Sequence, residues 1–136
     1  MNLKDRIKPT MPKMASKPTD NSSIPQLVSE LLESVTIIHK FHLVSKSYSE
    51  HVALGDFYDE IGDLADTIFE SSSWRDNAIE IPAPNLNGSS PVNYLEKLAN
   101  FVEQTRLVTT YSDLQNQMDE VKTLIFQTLY KLKNLR

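Results

Sequence analysis

Apolar residues recur every three or four positions in four separate stretches of the chain, which is the spacing of a helix that buries one face. These stretches predict helices over residues of about 23–45, 50–71, 91–108 and 112–135. The alternation of apolar and polar residues that is typical of a strand between turns does not occur in the sequence. The pattern therefore predicts an all-α fold.

Serines mark three of the predicted helix starts. Ser23 and Ser90 each stand within two residues of a proline, which suits the first turn of a helix, and Ser112 forms a capping box with Gln115. The first and last pairs of helices have short joins, so we expect antiparallel neighbours. Residues 72–90 are rich in Pro, Asn, Gly and Ser. They predict a long crossover between helices 2 and 3 of a four-helix bundle.

Composition narrows the function classes. The chain has 136 residues, of which 40% are hydrophobic, so residues 23–136 suffice for one bundle domain. The absence of cysteine excludes a disulfide scaffold, an iron–sulfur centre and a cysteine nucleophile. No apolar run approaches the ~20 residues of a membrane span. The N-terminus lacks the apolar core of a signal peptide, so we expect a cytoplasmic protein without a membrane contact.

Charge is unevenly distributed along the chain. The net charge is −4, yet residues 1–22 contain five basic and two acidic residues and three prolines. We interpret this segment as an extended basic N-terminal arm, while the remainder carries the excess of acidic residues. The arm is either a solvated terminus without function or a docking segment for DNA or a neighbouring subunit.

Histidines and carboxylates are concentrated in one part of the sequence. All three histidines lie within thirteen residues, at His39, His42 and His51, and His39 and His42 point the same way on one helix. Helix 2 carries an acidic face of Asp59, Asp63, Asp66 and Glu70. Such a face is commonly only solvated, but imidazole and carboxylate together suit iron, manganese or zinc.

Two glycines in the middle of helix 2 point to close packing. Gly55 and Gly62 each cost about 1 kcal/mol relative to alanine, a cost that is tolerated where another element approaches. They lie in the strip between His51 and Asp66. We therefore expect helix 1 or another subunit to cover this strip.

One segment resembles the Dps proteins, the starvation-induced, DNA-protecting mini-ferritins of the ferritin-like superfamily. It runs over residues 39–70 as HKFHLVSKSYSEHVALGDFYDEIGDLADTIFE. In that family a His on the first helix is followed twelve residues later by a second His. An aromatic pair, an Asp and a Glu four positions further on then follow. The matching positions here are His39, His51, Phe57-Tyr58, Asp66 and Glu70.

The resemblance implies a ferritin-like four-helix bundle and a homo-oligomer with a dimeric building block. It also implies an iron-binding or ferroxidase site at the dimer interface, with histidines from one subunit and the two acids from its partner. Iron is the expected metal, with zinc and manganese as alternatives from the ligand types. A basic arm that contacts DNA is a Dps-like feature as well. The segment is also similar to ferritin-like proteins encoded by tailed phages, which implies the virion or the host cytoplasm as location and a virion or host protein as partner.

The chain also departs from the family pattern. The family's first Asp falls on Gly55, which has no ligand atom, and His42 is an additional candidate ligand beside it. Two functions therefore compete. One is a Dps-like iron-binding ferroxidase, and the other is a catalytically inactive ferritin-like structural or interaction protein, such as a phage particle component.

The length of helix 2 constrains the metal site. At 1.5 Å per residue, Asp66 lies about 22 Å along the helix from His51. One chain therefore cannot bring both to one ion, whereas a twofold neighbour with an antiparallel helix can. We expect the site to exist only in the dimer, and twice in each dimer.

Overall fold

The computed structural model describes residues 23–76 and 80–135, and these residues form four helices without a strand. The helices are α1 (Ile24–Val44), α2 (Tyr48–Asp76), α3 (Pro91–Leu107) and α4 (Ser112–Asn134). The predicted all-α fold with four helices is thus confirmed. The N-terminal arm of residues 1–22 lies outside the described residues. In the described parts of the chain, no helix has the length and apolar content to cross a membrane.

Two of the three predicted serine caps are present. Ser23 Oγ accepts from Gln26 N at 3.1 Å, and Ser90 Oγ accepts from Asn93 N at 3.1 Å. The cap predicted at Ser112 is wrong, because α4 already begins there and its N-cap position makes no side-chain cap bond. Gln115 instead donates to the carbonyl of Thr109 at 2.8 Å, which ties α4 to the preceding turn.

Helix α2 is longer at both ends than its apolar spacing predicts. At its start, Ser47 Oγ accepts from Glu50 N at 3.3 Å, which is the hydrogen bond of a helix N-cap. At its end, the three consecutive serines 71–73 remain helical because α4 supplies partners. Gln117 donates to Ser71 Oγ at 3.2 Å, and Arg75 donates to Asp113 at 2.8 Å.

The helices pack as a square in which each helix has two neighbours. α1 and α4 each contact α2 and α3, so α1 lies diagonally opposite α4. The Arg75–Asp113 ion pair joins the end of α2 to the start of α4, so these two helices are antiparallel. The short joins make α1 antiparallel to α2 and α3 antiparallel to α4. All neighbouring helices of the square are therefore antiparallel. The largest fully buried side chains are Leu27, Leu31, Ile38, Leu54, Phe57, Ile61, Ile68, Tyr94, Leu95, Leu98, Met118 and Ile125.

Ion pairs join α3 to α4 along the outside of the core. Arg106 donates to both carboxylate oxygens of Asp119, at 2.7 Å and 3.1 Å. These hydrogen bonds, together with the positive charge, lower the pKa of Asp119. Lys133 pairs with Glu96 at 3.0 Å near the other end of the same helix pair. Because the side chains of these pairs are a third to a half exposed, the ion pairs contribute little to the stability of the fold.

A buried carboxylate attaches the segment before α3 to α1. Glu30 is 1% exposed. Its carboxylate accepts from Asn85 N at 2.7 Å, from Leu86 N at 3.1 Å and from the Gln26 side chain at 2.8 Å. Gln26 also donates to the carbonyl of Ala83 at 3.0 Å. Residues 83–86 therefore run against the N-terminal half of α1, and this covering explains why these polar side chains are buried.

The same segment continues to Gly88, which packs closely against Tyr94 in the first turn of α3. A Cβ on Gly88 would lie 2.6–2.8 Å from Cβ, Cα and N of Tyr94, so this close approach requires glycine. The Tyr94 side chain is fully buried. Burial raises the pKa of its hydroxyl, and the charges of Glu30 and Glu33 raise it further. Tyr94 therefore stays neutral beside the buried carboxylate.

Replacing Glu30 with alanine tests this attachment. The substitution leaves two partly buried amides without an acceptor, and each such loss costs about 1–3 kcal/mol. We expect the free energy of unfolding in urea at pH 7 to fall by about 2–4 kcal/mol in Glu30→Ala. The matched control is Glu120→Ala, at an exposed position of α4, with an expected change within about 0.5 kcal/mol. Equal effects of the two substitutions would contradict the attachment.

Candidate metal centre

The three histidines meet at the corner where α1 ends and α2 begins. The rings of His42 and His51 are stacked, with centroids 3.6 Å apart and planes 23° apart. The ring of His39 lies 6.0 Å from that of His42, one helical turn earlier on α1. The corner thus brings together all the imidazoles of the chain, as their spacing predicts.

Hydrogen bonds lock His42 and His51 to each other's backbone. Nδ1 of His42 lies 2.6 Å from the carbonyl oxygen of His51, and Nδ1 of His51 lies 3.0 Å from the carbonyl oxygen of His42. A carbonyl oxygen can only accept, so each Nδ1 must carry a proton and donate it. In the neutral rings this leaves the lone pair on Nε2. Both side chains therefore have a defined tautomer, and neither Nε2 has a hydrogen-bond partner in the part of the chain that the structure describes.

Serines of the connecting turn hold this corner in shape. Ser45 N donates to the carbonyl of His42 at 3.3 Å, and Ser45 Oγ donates to the Glu50 carboxylate at 2.8 Å. Ser47 Oγ caps the first turn of α2. The turn between the helices is therefore short and bonded at several points, which fixes the register of α1 against α2.

An aromatic side chain and a glycine complete the cluster. Tyr58 stacks on His39 with centroids 4.4 Å apart and meets His42 edge-on at 5.3 Å. A Cβ on Gly55 would lie 3.2 Å from Cε1 of His42, so the ring of His42 occupies the space that a side chain would need. The prediction that helix 1 or another subunit covers the glycine strip is confirmed at Gly55, where helix 1 provides the cover. The sequence does not predict the contacts of Tyr58 with His39 and His42, although the aromatic pair Phe57-Tyr58 draws attention to this position.

The predicted acidic ligands lie far from the histidines of the same chain. Asp66 and Glu70 are exposed and stand fifteen or more residues beyond His51 on the same helix, about 22 Å or more along its axis. Within the described residues, no group of three or more His, Asp or Glu side chains of the chain is arranged to hold a metal ion. A site that includes these acids needs a second chain and stays a prediction.

The strip between the two halves of the predicted site is not covered by residues 23–76 or 80–135. A Cβ on Gly62 would have none of their atoms within 4 Å. Asp59, Asp63 and Asp66 on the same helix are exposed. The two glycines therefore differ, since Gly55 is covered by α1 and none of the described residues covers Gly62.

Comparison with known families gives one match. The model of a family of unknown function, DUF5856, matches residues 42–132. The chain belongs to this family. Its matched region begins at His42 and includes His51, Asp66 and Glu70, whereas His39 precedes it. No curated protein and no solved structure matches the chain.

A double-mutant cycle in this DUF5856 chain tests the contact between Gly55 and His42. Alanine in a helix is worth about 0.5–1 kcal/mol more than glycine, but the new Cβ must displace the ring of His42. We expect Gly55→Ala to stabilise the His42→Ala protein and to be neutral or destabilising in the native chain. The difference, read from urea unfolding of the four proteins, should be about 1 kcal/mol. The same effect in both backgrounds would show that the ring does not occupy this space.

Proposed function

We propose that this protein is a Dps-like iron-binding protein with a ferritin-like bundle and a metal site shared by two copies of the chain. One copy supplies His39 and His51, and its partner supplies Asp66 and Glu70. The observation that carries the proposal is the histidine corner, where His51 has its Nδ1 bonded to a carbonyl and its Nε2 without a hydrogen-bond partner among the described residues.

The arrangement of the helices supports the ferritin-like part of the proposal. Ferritin-like folds are four-helix bundles in which one long crossover runs along the bundle. Here α1 and α4 are diagonal, and the segment before α3 runs along α1. Antiparallel pairs on either side of a crossover of this kind are what such a topology requires.

The chemistry of the ligands supports iron. Histidines that bind metals almost always donate their other ring N–H to a carboxylate, a backbone carbonyl or water, as His51 does to His42. The carboxylates of Asp66 and Glu70 are four residues apart on one helix and both exposed, so both are free to reach one ion. Imidazole with carboxylate suits iron, with manganese and zinc as alternatives.

A twofold dimer would bring His51 and Asp66 together although they are about 22 Å apart along one α2 helix. If two α2 helices lie antiparallel, Asp66 of one chain comes beside His51 of the other, and the twofold axis makes two such sites. The uncovered surface at Gly62 lies between these two positions on α2 and leaves room for the partner helix. This geometry supports the proposed homo-oligomer with a dimeric building block.

Iron is the substrate in this proposal, and a peroxide is the oxidant. Two iron(II) ions each lose one electron to one hydrogen peroxide molecule. The O–O bond breaks, two protons are taken up and two water molecules are released. The protein's contribution is to hold iron(II) with defined ligands and an open coordination position. Iron(III) then collects inside the oligomer.

Complementation between two inactive variants tests the shared site. We expect Asp66→Ala and His51→Ala each to abolish binding in an anaerobic iron(II) titration, because each removes one half of the site. Co-expression of the two variants with different tags should give a mixed dimer that regains one site. The control Glu60→Ala changes an exposed acid of α2 beside the groove toward α4 and should bind iron normally. Full iron binding by Asp66→Ala would overturn this ligand set.

A bulky residue at Gly62 tests the dimer separately from the metal. Because a Cβ at this position would have no atom of the four helices or the described connections within 4 Å, we expect Gly62→Leu to leave the four-helix bundle itself intact. We expect the variant to keep its helical circular dichroism and to lose the dimer in light scattering. An unchanged oligomer would show that the partner does not pack on this strip.

Exposed apolar residues favour a second candidate function, an inactive structural or interaction bundle such as a phage particle component. Tyr48 and Trp74 are both 83% exposed, and Leu43 and Val44 are exposed beside the histidine corner. Such a protein would bind a virion or host partner and no iron. DNA contact through the arm of residues 1–22 and a cytoplasmic location also stay proposals.

A further inference from the structure

We infer that His42 is a positioning residue for His51, and that it holds the His51 ring so that Nε2 faces the metal while His42 itself does not bind that ion. The inference rests on the proposed iron site. The sequence suggests His42 as a metal ligand. In this inference His42 instead acts on the metal site through the side chain of His51.

The geometry of the stacked pair excludes His42 and His51 as ligands of one ion. A metal sits in the plane of each imidazole that binds it, about 2.0–2.1 Å from the nitrogen. The two ring planes are only 23° apart and the centroids are 3.6 Å apart. In-plane lone pairs of rings stacked in this way do not converge on one point at that distance. One of the two rings must therefore serve the other.

His51 is the ring that stands as the ligand. The ring of His42 has neighbours on several sides. The His51 ring stacks on it with centroids 3.6 Å apart, the centroid of the Tyr58 ring lies 5.3 Å away, and a Cβ on Gly55 would lie 3.2 Å from its Cε1. His51 lies on α2, the helix that the proposed dimer brings beside the partner's acids. His42 thus positions His51 through the hydrogen bond from its Nδ1 to the His51 carbonyl, while its ring stacks on the His51 ring.

Both hydrogen bonds of the pair suit this role. The bond from His42 Nδ1 to the His51 carbonyl fixes the backbone of His51, and the bond from His51 Nδ1 to the His42 carbonyl sets the tautomer of the ligand. A metal on Nε2 withdraws electron density and makes Nδ1–H a stronger donor. Its acceptor is a carbonyl of the last turn of α1, where the helix dipole favours positive charge. Metal binding to His51 Nε2 and the hydrogen bond from His51 Nδ1 to the His42 carbonyl therefore strengthen each other.

The first measurement needs no metal. Long-range ¹H–¹⁵N correlation spectra of the metal-free protein near pH 8 report which ring nitrogen carries the proton. We expect His42 and His51 both to be Nδ1–H tautomers, whereas a solvated imidazole favours Nε2–H. His42→Phe keeps an aromatic ring but loses the Nδ1–H donor. His42→Asn has no ring but restores an N–H near the position of Nδ1.

The second measurement is an anaerobic iron(II) titration of the native chain and the two variants. We expect the iron affinity to fall about 10–100-fold in His42→Phe and to recover in large part in His42→Asn. Light scattering shows whether the variants keep the native assembly.

The outcomes separate the inference from the proposed function. An Nε2–H tautomer of His51, or native iron affinity in His42→Phe, overturns the positioning role and leaves the iron site standing. Binding that is lost equally in His42→Phe and His42→Asn, with the assembly intact, shows that His42 is a ligand and also overturns the inference. Absence of iron binding by the native chain overturns the proposed function, whatever the tautomer is, and the positioning role with it.

Discussion

The burial of one carboxylate constrains the arrangement of the bundle. Glu30 loses its water on folding, and the amides of Asn85 and Leu86 and the Gln26 side chain replace it. A buried charge is tolerated only with such partners, so the segment before α3 must run along α1. This path sets α3 beside α1 and occupies the surface of α1 around Glu30. The surface of α2 at Gly62 has no such cover from the described residues.

The order and type of the helices follow from local rules, while the path of the crossover does not. Apolar spacing predicts four helices because each buries one face. It underestimates α2, since the serines 71–73 and Arg75 are held helical by Gln117 and Asp113 on another helix. The burial of Gln26 and Glu30 was not predicted either, because it depends on chain far away in sequence.

The candidate site was predictable in its members and less so in its geometry. The spacing of His39 and His42 predicts a shared face, and the rise of a helix predicts the distance from His51 to Asp66. The exchanged hydrogen bonds between His42 and His51 depend on the register across a three-residue turn, which no local pattern encodes. The glycine at position 55 signalled a close contact without naming the ring that makes it.

The account depends most on the claim that iron is bound between two chains. Native mass spectrometry of the protein loaded anaerobically with iron(II) measures the oligomeric state and the metal content of the same particles. The account predicts iron only on dimers and their multiples, with up to two ions in the shared sites of each dimer, and none on single chains. Iron retained by monomers at the same occupancy, or dimers that carry no iron, would contradict it.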